Sequence, residues 1–245
     1  MKRFIIMIML GLTLILSACN GTILGGNMVR GSGVPGSESR PVSGFSGIVL
    51  NGSGDAQITK DDSESLKIEA EDNILPLITS AVVGGKLVIG FKNNTSISTT
   101  LPIRFTITVK DLSSIELNGS GNAVVGDIQT SAMTLTLRGS GDADFGSLVA
   151  SNLTADGNGS GNIAIKGGKV NSQILRIFGS SNYTAPDLES QSASVSIFGS
   201  GDAQVWSKGS LAATIAGSGN VTYFGSPTVT QKVAGSGKVT GQGNK

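Results

Sequence analysis

The sequence predicts an all-β protein, a parallel right-handed β-helix or solenoid with about 18–20 residues per coil. A tetrapeptide, Gly-Ser-Gly followed by Asn or Asp and here called the corner motif, recurs with first glycines at residues 119, 139, 159, 199 and 217. Variant copies begin at Gly179, where Ser181 replaces the second glycine, and at Gly235, where Lys238 takes the fourth position. An earlier copy begins at Gly52. A fixed step of this length is typical of solenoids. Apolar residues alternate with polar ones on both sides of the motif, and no long helical pattern follows residue 19.

The alternation predicts strands with one buried face. The position two residues before each first glycine is almost always aliphatic: Leu50, Leu117, Leu137, Gly157, Ile177, Ile197, Ile215 and Val233. Because the apolar positions recur at the same step, equivalent strands are expected to lie parallel, about 4.8 Å apart, with like residues stacked. Each coil then completes its neighbour's core. The right-handed sense follows from the crossover rule.

The fourth motif position predicts a structural corner ladder, a column of hydrogen-bonded polar side chains. Its members are Asp55, Asn122, Asp142, Asn162, Asn182, Asp202 and Asn220. Asn and Asp tolerate tight corners and can bond back to the backbone. No two carboxylates are adjacent in the column, and Asn can donate a hydrogen bond to Asp.

The first residues resemble a bacterial lipoprotein signal. Lys2 and Arg3 precede an apolar run, Phe4–Leu16, that is too short for an ordinary membrane span and suits a signal peptide over residues 1–18. Leu16-Ser17-Ala18-Cys19 resembles the lipobox, which implies a lipid on Cys19, the only cysteine. The chain is then anchored to a membrane by that lipid. By the same resemblance, Asn20 favours the outer membrane of the cell envelope.

The remaining chain divides by composition. Residues 19–40 are rich in Gly and Ser and are expected to form a flexible tether. Residues 41–245 are expected to form the solenoid domain, with 41–110 as an irregular β-rich N-terminal cap and 111–245 as the repeats. The gap between Gly52 and Gly119 has room for about three irregular coils, and Gly84-Gly85 predicts a hairpin within it.

These features together resemble the putative auto-transporter adhesin, head GIN domain family. The resemblance covers nearly all of residues 41–240 and rests on Phe45-Ser46-Gly47-Ile48, Gly52-Ser53-Gly54-Asp55, Glu71–Pro76, Gly84–Ile89 and the corner motifs from Gly119. It implies a β-helix-like fold and a place in the cell envelope. No catalytic residues come with it.

The amino-acid composition excludes several kinds of catalytic and binding site. The chain has no histidine, which excludes His-based triads and imidazole metal sites. Without residues 1–18, which carry two cations, 16 basic residues face 17 acidic ones, so we expect no nucleic-acid partner. We expect no cofactor and no metal. A calcium-stabilised repeat protein stays an alternative, although calcium sites usually need more carboxylates than the ladder offers.

A glycan-processing β-helix enzyme is the second alternative. Such a site needs carboxylates in a cleft, and outward carboxylates occur at Asp142, Asp144, Glu116 and Asp156. The repeats carry no long insertions that could wall a cleft. We therefore predict a non-enzymatic protein without catalytic residues.

Exposed aromatic residues supply the candidate binding surface. Phe178 and Phe198 occupy equivalent outward positions on consecutive coils, and Trp206 lies a few residues past the next corner. Such a surface could hold an envelope glycan or a partner protein; the alternative is a local stacking pair. The sequence thus predicts a lipid-anchored cell-envelope solenoid that serves as a binding, adhesion or scaffolding surface. The short polar end, Gly241–Lys245, leaves the last coil poorly covered, so self-association is also possible.

Overall fold

A computed structural model describes residues 27–245, so the predicted signal peptide and Cys19 lie outside the described residues. The described chain consists of β-strands and one short 3-10 turn, Leu75–Leu77. The strands are β1 (Asn27–Arg30), β2 (Pro35–Arg40), β3 (Gly47–Gly52), β4 (Asp55–Lys60), β5 (Ser65–Glu71), β6 (Ile78–Val83), β7 (Lys86–Phe91), β8 (Thr95–Ser98), β9 (Arg104–Val109), β10 (Ser114–Gly119), β11 (Ala123–Val125), β12 (Ile128–Gln129), β13 (Ala132–Gly139), β14 (Ala143–Gly159), β15 (Ile163–Gly179), β16 (Tyr183–Gly199), β17 (Ala203–Gly217), β18 (Val221–Phe224), β19 (Thr228–Gly235) and β20 (Val239–Gly241). Residues 27–245 contain no helix that could cross a membrane.

The repeats form the predicted parallel β-solenoid. Each corner-motif glycine lies in register with the next, as in Gly139↔Gly159 between β13 and β14 and Gly199↔Gly217 between β16 and β17. All pairings among β10 to β20 are parallel. The prediction of parallel coils with steps of 20 and then 18 residues is confirmed. The right-handed sense stays a prediction.

The aliphatic column points into the solenoid, as predicted. Leu117, Leu137, Ile177, Ile197 and Ile215 are each no more than 3% exposed. Val233, in the last coil, is 40% exposed because no further coil covers it. The core is therefore continuous through the stack and open at its C-terminal end.

A close backbone approach explains the glycines at each corner. The Gly139 carbonyl oxygen accepts hydrogen bonds from the backbone nitrogens of Ser160, at 2.9 Å, and of Gly161, at 3.3 Å. A Cβ on Gly161 would lie 2.0 Å from the carbonyl oxygen of Gly141 in the coil below. Glycine at this position therefore lets these two corners approach closely.

The coil shortens from 20 to 18 residues within the pairing of β16 with β17. Their register slips between Ala185 and Glu189, and again between Ser190 and Ser192. Trp206 lies at this irregularity, opposite Glu189. Its carbonyl oxygen therefore needs partners other than the regular strand pairing.

A buried polar network satisfies that carbonyl. The Ser190 hydroxyl donates to the Trp206 carbonyl oxygen at 2.7 Å, and the Gln173 amide donates to it at 3.3 Å and to Ser190 Oγ at 2.9 Å. The Tyr183 hydroxyl donates to Gln173 Oε1 at 3.1 Å. Burial of this hydroxyl raises the pKa of Tyr183, so it stays protonated and remains a donor.

The N-terminal cap differs from the expected three irregular coils. β3 pairs directly with β10, placing Gly52 opposite Gly119, so the residues between these motifs do not lie between the two coils. They fold instead on the outer side: β7 and β9 pair parallel with β3 and β4 as one further coil. The hairpin predicted at Gly84-Gly85 is confirmed, joining β6 to β7.

Antiparallel strands close this end of the solenoid. β6 pairs with β7, β5 pairs with β9, and β2 pairs with β5. The inward residues of the outermost coil, such as Leu87 and Phe105, are consequently no more than 1% exposed. At the N-terminal end of residues 27–245, the core of the outermost coil is therefore covered by the antiparallel strands.

The flexible tether predicted over residues 19–40 is wrong for residues 27–40, which form β1 and β2. β1 pairs with β8, and the turn after it is fixed by the buried carboxylate of Glu71. This carboxylate accepts hydrogen bonds from the Gly33 nitrogen at 2.9 Å and from Thr100 Oγ1 at 2.6 Å. Gly- and Ser-rich composition suggested disorder, but edge strands tolerate polar residues on both faces.

Candidate functional site

The candidate site is the flat outward face of the strand segments that precede the corners, here called the pre-corner face. Phe178 and Phe198 are paired in register on β15 and β16 of this face. Their ring centroids are 5.2 Å apart and the ring planes differ by 8°. The rings are 42% and 46% exposed, so the two side chains stack on each other and still reach solvent.

The neighbours of this stack give it two different ends. Asn158 lies next to Phe178 in the coil below, whereas Ala216 and then Ala234 continue the column beyond Phe198. Beyond Phe198 the column therefore changes from large phenyl rings to small alanine methyl groups. Ile174, 37% exposed on the same face of β15, is separated from Phe178 by the exposed Arg176.

Trp206 belongs to a separate cluster on β17, past the corner. Its backbone is paired with Phe224 in the next coil. The Lys245 ammonium lies 4.5 Å from the Phe224 ring centroid and 5.9 Å from that of Trp206. The structure thus brings Phe178 and Phe198 together but places Trp206 with a different set of residues.

The corner ladder is a continuous run of hydrogen bonds. Asn162 shows the pattern: its side-chain amide and its backbone nitrogen both donate to Asp142 Oδ1, at 2.9 and 2.7 Å, and its own Oδ1 accepts from the Asn182 amide at 2.8 Å. Similar bonds link all the remaining neighbouring pairs in the column: Asp55–Asn122, Asn122–Asp142, Asn182–Asp202, Asp202–Asn220 and Asn220–Lys238. Because amides separate the carboxylates, Asp55, Asp142 and Asp202 each accept a hydrogen bond from the amide of the next asparagine in the column.

The ladder does not gather several acidic side chains around one point. Within residues 27–245, no group of three or more Asp, Glu, Cys or His side chains is placed to hold a metal ion. Hard cations need several converging oxygen ligands.

The outward carboxylates of the pre-corner face are held in ion pairs. Glu116 accepts from the Asn118 amide at 3.0 Å and pairs with Arg138. The Asn118 hydrogen bond, followed by the charge of Arg138, lowers the pKa of Glu116. Asp156 pairs with Arg176 at 3.1 Å. The lowered pKa makes Glu116 a poor proton donor at neutral pH, unlike the general acid of a glycosidase.

Solved structures share this architecture. A putative adhesin from Bacteroides fragilis is 25% identical, and the match covers 87% of this chain and 99% of that one, with a TM-score of 0.83. A putative lipid binding protein from Parabacteroides distasonis is 23% identical, covering 87% and 99%, with a TM-score of 0.71. A putative adhesin from Parabacteroides merdae is 23% identical, covering 87% and 98%, with a TM-score of 0.67.

Sequence comparison agrees with the resemblance noted above. No curated protein matches the chain. A family model matches residues 44–227, which include the cap from β3 onward and all repeats but the last. The chain therefore belongs to the putative auto-transporter adhesin, head GIN domain family.

Proposed function

We propose that this protein is a lipid-anchored, non-enzymatic binding protein of the cell envelope whose contact surface is the pre-corner face around Phe178 and Phe198. The observation that carries the proposal is the exposed, stacked pair of phenylalanines on a flat sheet. Two such rings expose costly apolar area that a partner could cover. Membership of an adhesin family and the fold shared with the Bacteroides fragilis adhesin support a binding role.

An envelope glycan is the ligand that we favour for this face. Sugar rings present C–H groups that pack on aromatic rings. Asn158 lies in register with Phe178, and Thr214 lies in register with Ser196, two residues before Phe198, so both supply polar groups near the stack. Arg176, two residues before Phe178 on β15, forms an ion pair with Asp156 of the coil below. A repeating glycan could contact several coils at once, because the coils repeat about every 4.8 Å.

Replacement of both phenylalanines tests this proposal. We expect F178S/F198S to lose binding to isolated cell-envelope polysaccharide, measured by co-sedimentation of the purified full chain. The control is V124S/V149S, which removes two other exposed apolar side chains, 47% and 44% exposed, elsewhere on the coils. Equal loss in both variants, or binding retained by F178S/F198S, would contradict a role for this face.

Lipid attachment at Cys19 is a separate part of the proposal. We expect Cys19→Ser to abolish incorporation of a labelled fatty acid and to release the protein from the membrane fraction. Density-gradient separation of the two membranes tests the expected outer-membrane location. Unchanged fatty-acid labelling in the variant would contradict the lipobox assignment.

A further inference from the structure

The two ends of the solenoid differ in how their strands are completed. At the N-terminal end, β6, β5 and β2 cover the outermost coil with antiparallel strands. At the C-terminal end, the last coil consists of β19, β20 and the residues that follow. Every residue of β19 except Val229 is exposed. Unpaired backbone groups along such an edge favour the addition of another strand.

The inward positions of β19 make this edge apolar as well as unpaired. Val229 and Val233 lie opposite Leu211 and Ile215 of the coil below, which are buried. Gln231 lies between them, opposite the buried Ala213. The end of the core is thus covered by a single layer whose outer side has no neighbour among the described residues.

We propose that this edge is the interface of a dimer in which the C-terminal coils of two copies meet about a two-fold axis. A single extended peptide would cover one side of the coil, whereas a second C-terminal coil has the same outline and covers all of its sides. The cap closes the opposite end, so a head-to-tail stack is blocked. A two-fold axis makes the contact isologous and limits it to two copies.

The charge on β19 selects one register. Two-fold pairing of β19 with its copy is antiparallel, and inward residues must meet inward residues because a one-residue slip reverses the faces. Two such registers overlap nearly the whole strand. One centres on Lys232 and opposes two lysines, which is destabilising. The other centres on Gln231: Val229 then faces Val233 of the copy, and Lys232 faces Thr230.

The oligomeric state is the first test. We expect the full chain in detergent to sediment as a dimer and Val233→Lys to weaken dimerisation at least tenfold, because the lysine replaces an apolar contact at the interface. Val124→Lys is the matched control, since this valine is 47% exposed on another part of the coil. A wild-type monomer at about 100 μM, or equal dissociation in both variants, would overturn the proposal.

A cysteine scan tests the register. Gln231→Cys places two thiols opposite each other on the two-fold axis and should give a disulfide-linked dimer under mild oxidation. Thr228→Cys is the control, because its thiols would lie about 20 Å apart in this register. Crosslinking of Thr228→Cys as efficient as that of Gln231→Cys, or no crosslinking of Gln231→Cys beyond the wild-type level, would refute the arrangement.

Discussion

Ser181 occupies the space that a side chain at Gly157 would fill. A Cβ built on Gly157 would lie 2.8 Å from Ser181 Cβ and 3.2 Å from Ser181 Oγ. In the next coil the residue types are reversed: Ile177 fills the inward position, and a Cβ on Gly201 would lie 2.9 Å from its Cγ2. The glycine at the inward position 157 and the serine at the corner position 181 therefore compensate for each other in volume.

The exchange leaves two polar defects. Ser181 is buried, and its hydroxyl has no hydrogen-bond partner among the described residues. At other corners both the Ser and the following Gly nitrogen donate to the Gly carbonyl below, but at this corner the Ser180 nitrogen alone donates to the Gly159 carbonyl. An unsatisfied buried hydroxyl is unfavourable, so restoring the consensus pair should stabilise the protein.

The first prediction concerns this pair. We expect Gly157→Ile alone to destabilise the protein through collision with Ser181, and the double variant G157I/S181G to be more stable than the wild type by about 1–3 kcal/mol, since it buries a full aliphatic side chain. Chemical denaturation of the wild type, both single variants and the double variant measures the coupling. Additive effects of the two changes would show that the residues do not compensate for each other.

The second prediction concerns Glu71 and acid. Its hydrogen bond from Thr100 is the largest of several that lower the pKa of Glu71 below the usual 4.5. A lowered pKa contributes stability that is present above pH 4.5 and is lost as the pH falls through the folded value. We expect Glu71→Gln to lower the melting temperature at pH 7. The difference in melting temperature between variant and wild type should shrink as the pH falls below 4.5, because the wild-type carboxylate then becomes protonated.

The neighbouring Glu69→Gln is the control for Glu71. Glu69 pairs with Lys67 at the surface, where both side chains are more than 40% exposed. Exposed pairs contribute little stability. A loss at Glu69 as large as that at Glu71 would argue against a specific role for the buried carboxylate.

The third prediction concerns the buried network at the shortened coil. We expect Tyr183→Phe to destabilise the protein by about 1–3 kcal/mol because Gln173 Oε1 loses its donor. Tyr223→Phe, at a half-buried tyrosine in β18, should have a smaller effect. Denaturation midpoints of the two variants give the comparison, and equal midpoints would contradict the role assigned to the network.

The fourth prediction concerns the corner ladder. Asn162→Asp sets a carboxylate beside Asp142 and removes the amide that donates to it. We expect a loss of about 0.5–1 kcal/mol at pH 7, since like charges on paired strands repel. The repulsion raises the pKa of the new carboxyl group, so the loss should diminish as the pH falls and the group becomes protonated. A loss that is independent of pH would contradict a ladder held by charge alternation.

The repeats could be predicted from the sequence because each coil repeats the same local rules. The column from Leu117 to Ile215 follows from period-two patterning and a fixed step. The cap could not be predicted, since nothing local to Gly52 shows that it pairs with Gly119. β2 was missed because its residues, Pro35–Arg40, are polar and its pairing with β5 is a long-range contact.

The site was only partly predictable for the same reason. The equivalence of Phe178 and Phe198 is visible in the repeat, and their stacking follows from it. The separation of Trp206 from the two phenylalanines depends on the slip in register at Glu189, and no sequence motif predicts that slip. The link between Gly157 and Ser181 was detectable in principle, since both depart from the repeat in neighbouring coils.

The pairing of β1 with β8 of the cap limits how far the described fold could lie from a lipid on Cys19. If Cys19 carries the lipid, only residues 20–26 separate it from β1, and seven residues span at most about 25 Å. The capped end would then lie near the bilayer, and the last coil would point away from it. Two such last coils on facing membranes would meet end to end, so the joining of two copies would bridge two surfaces and act as homophilic adhesion.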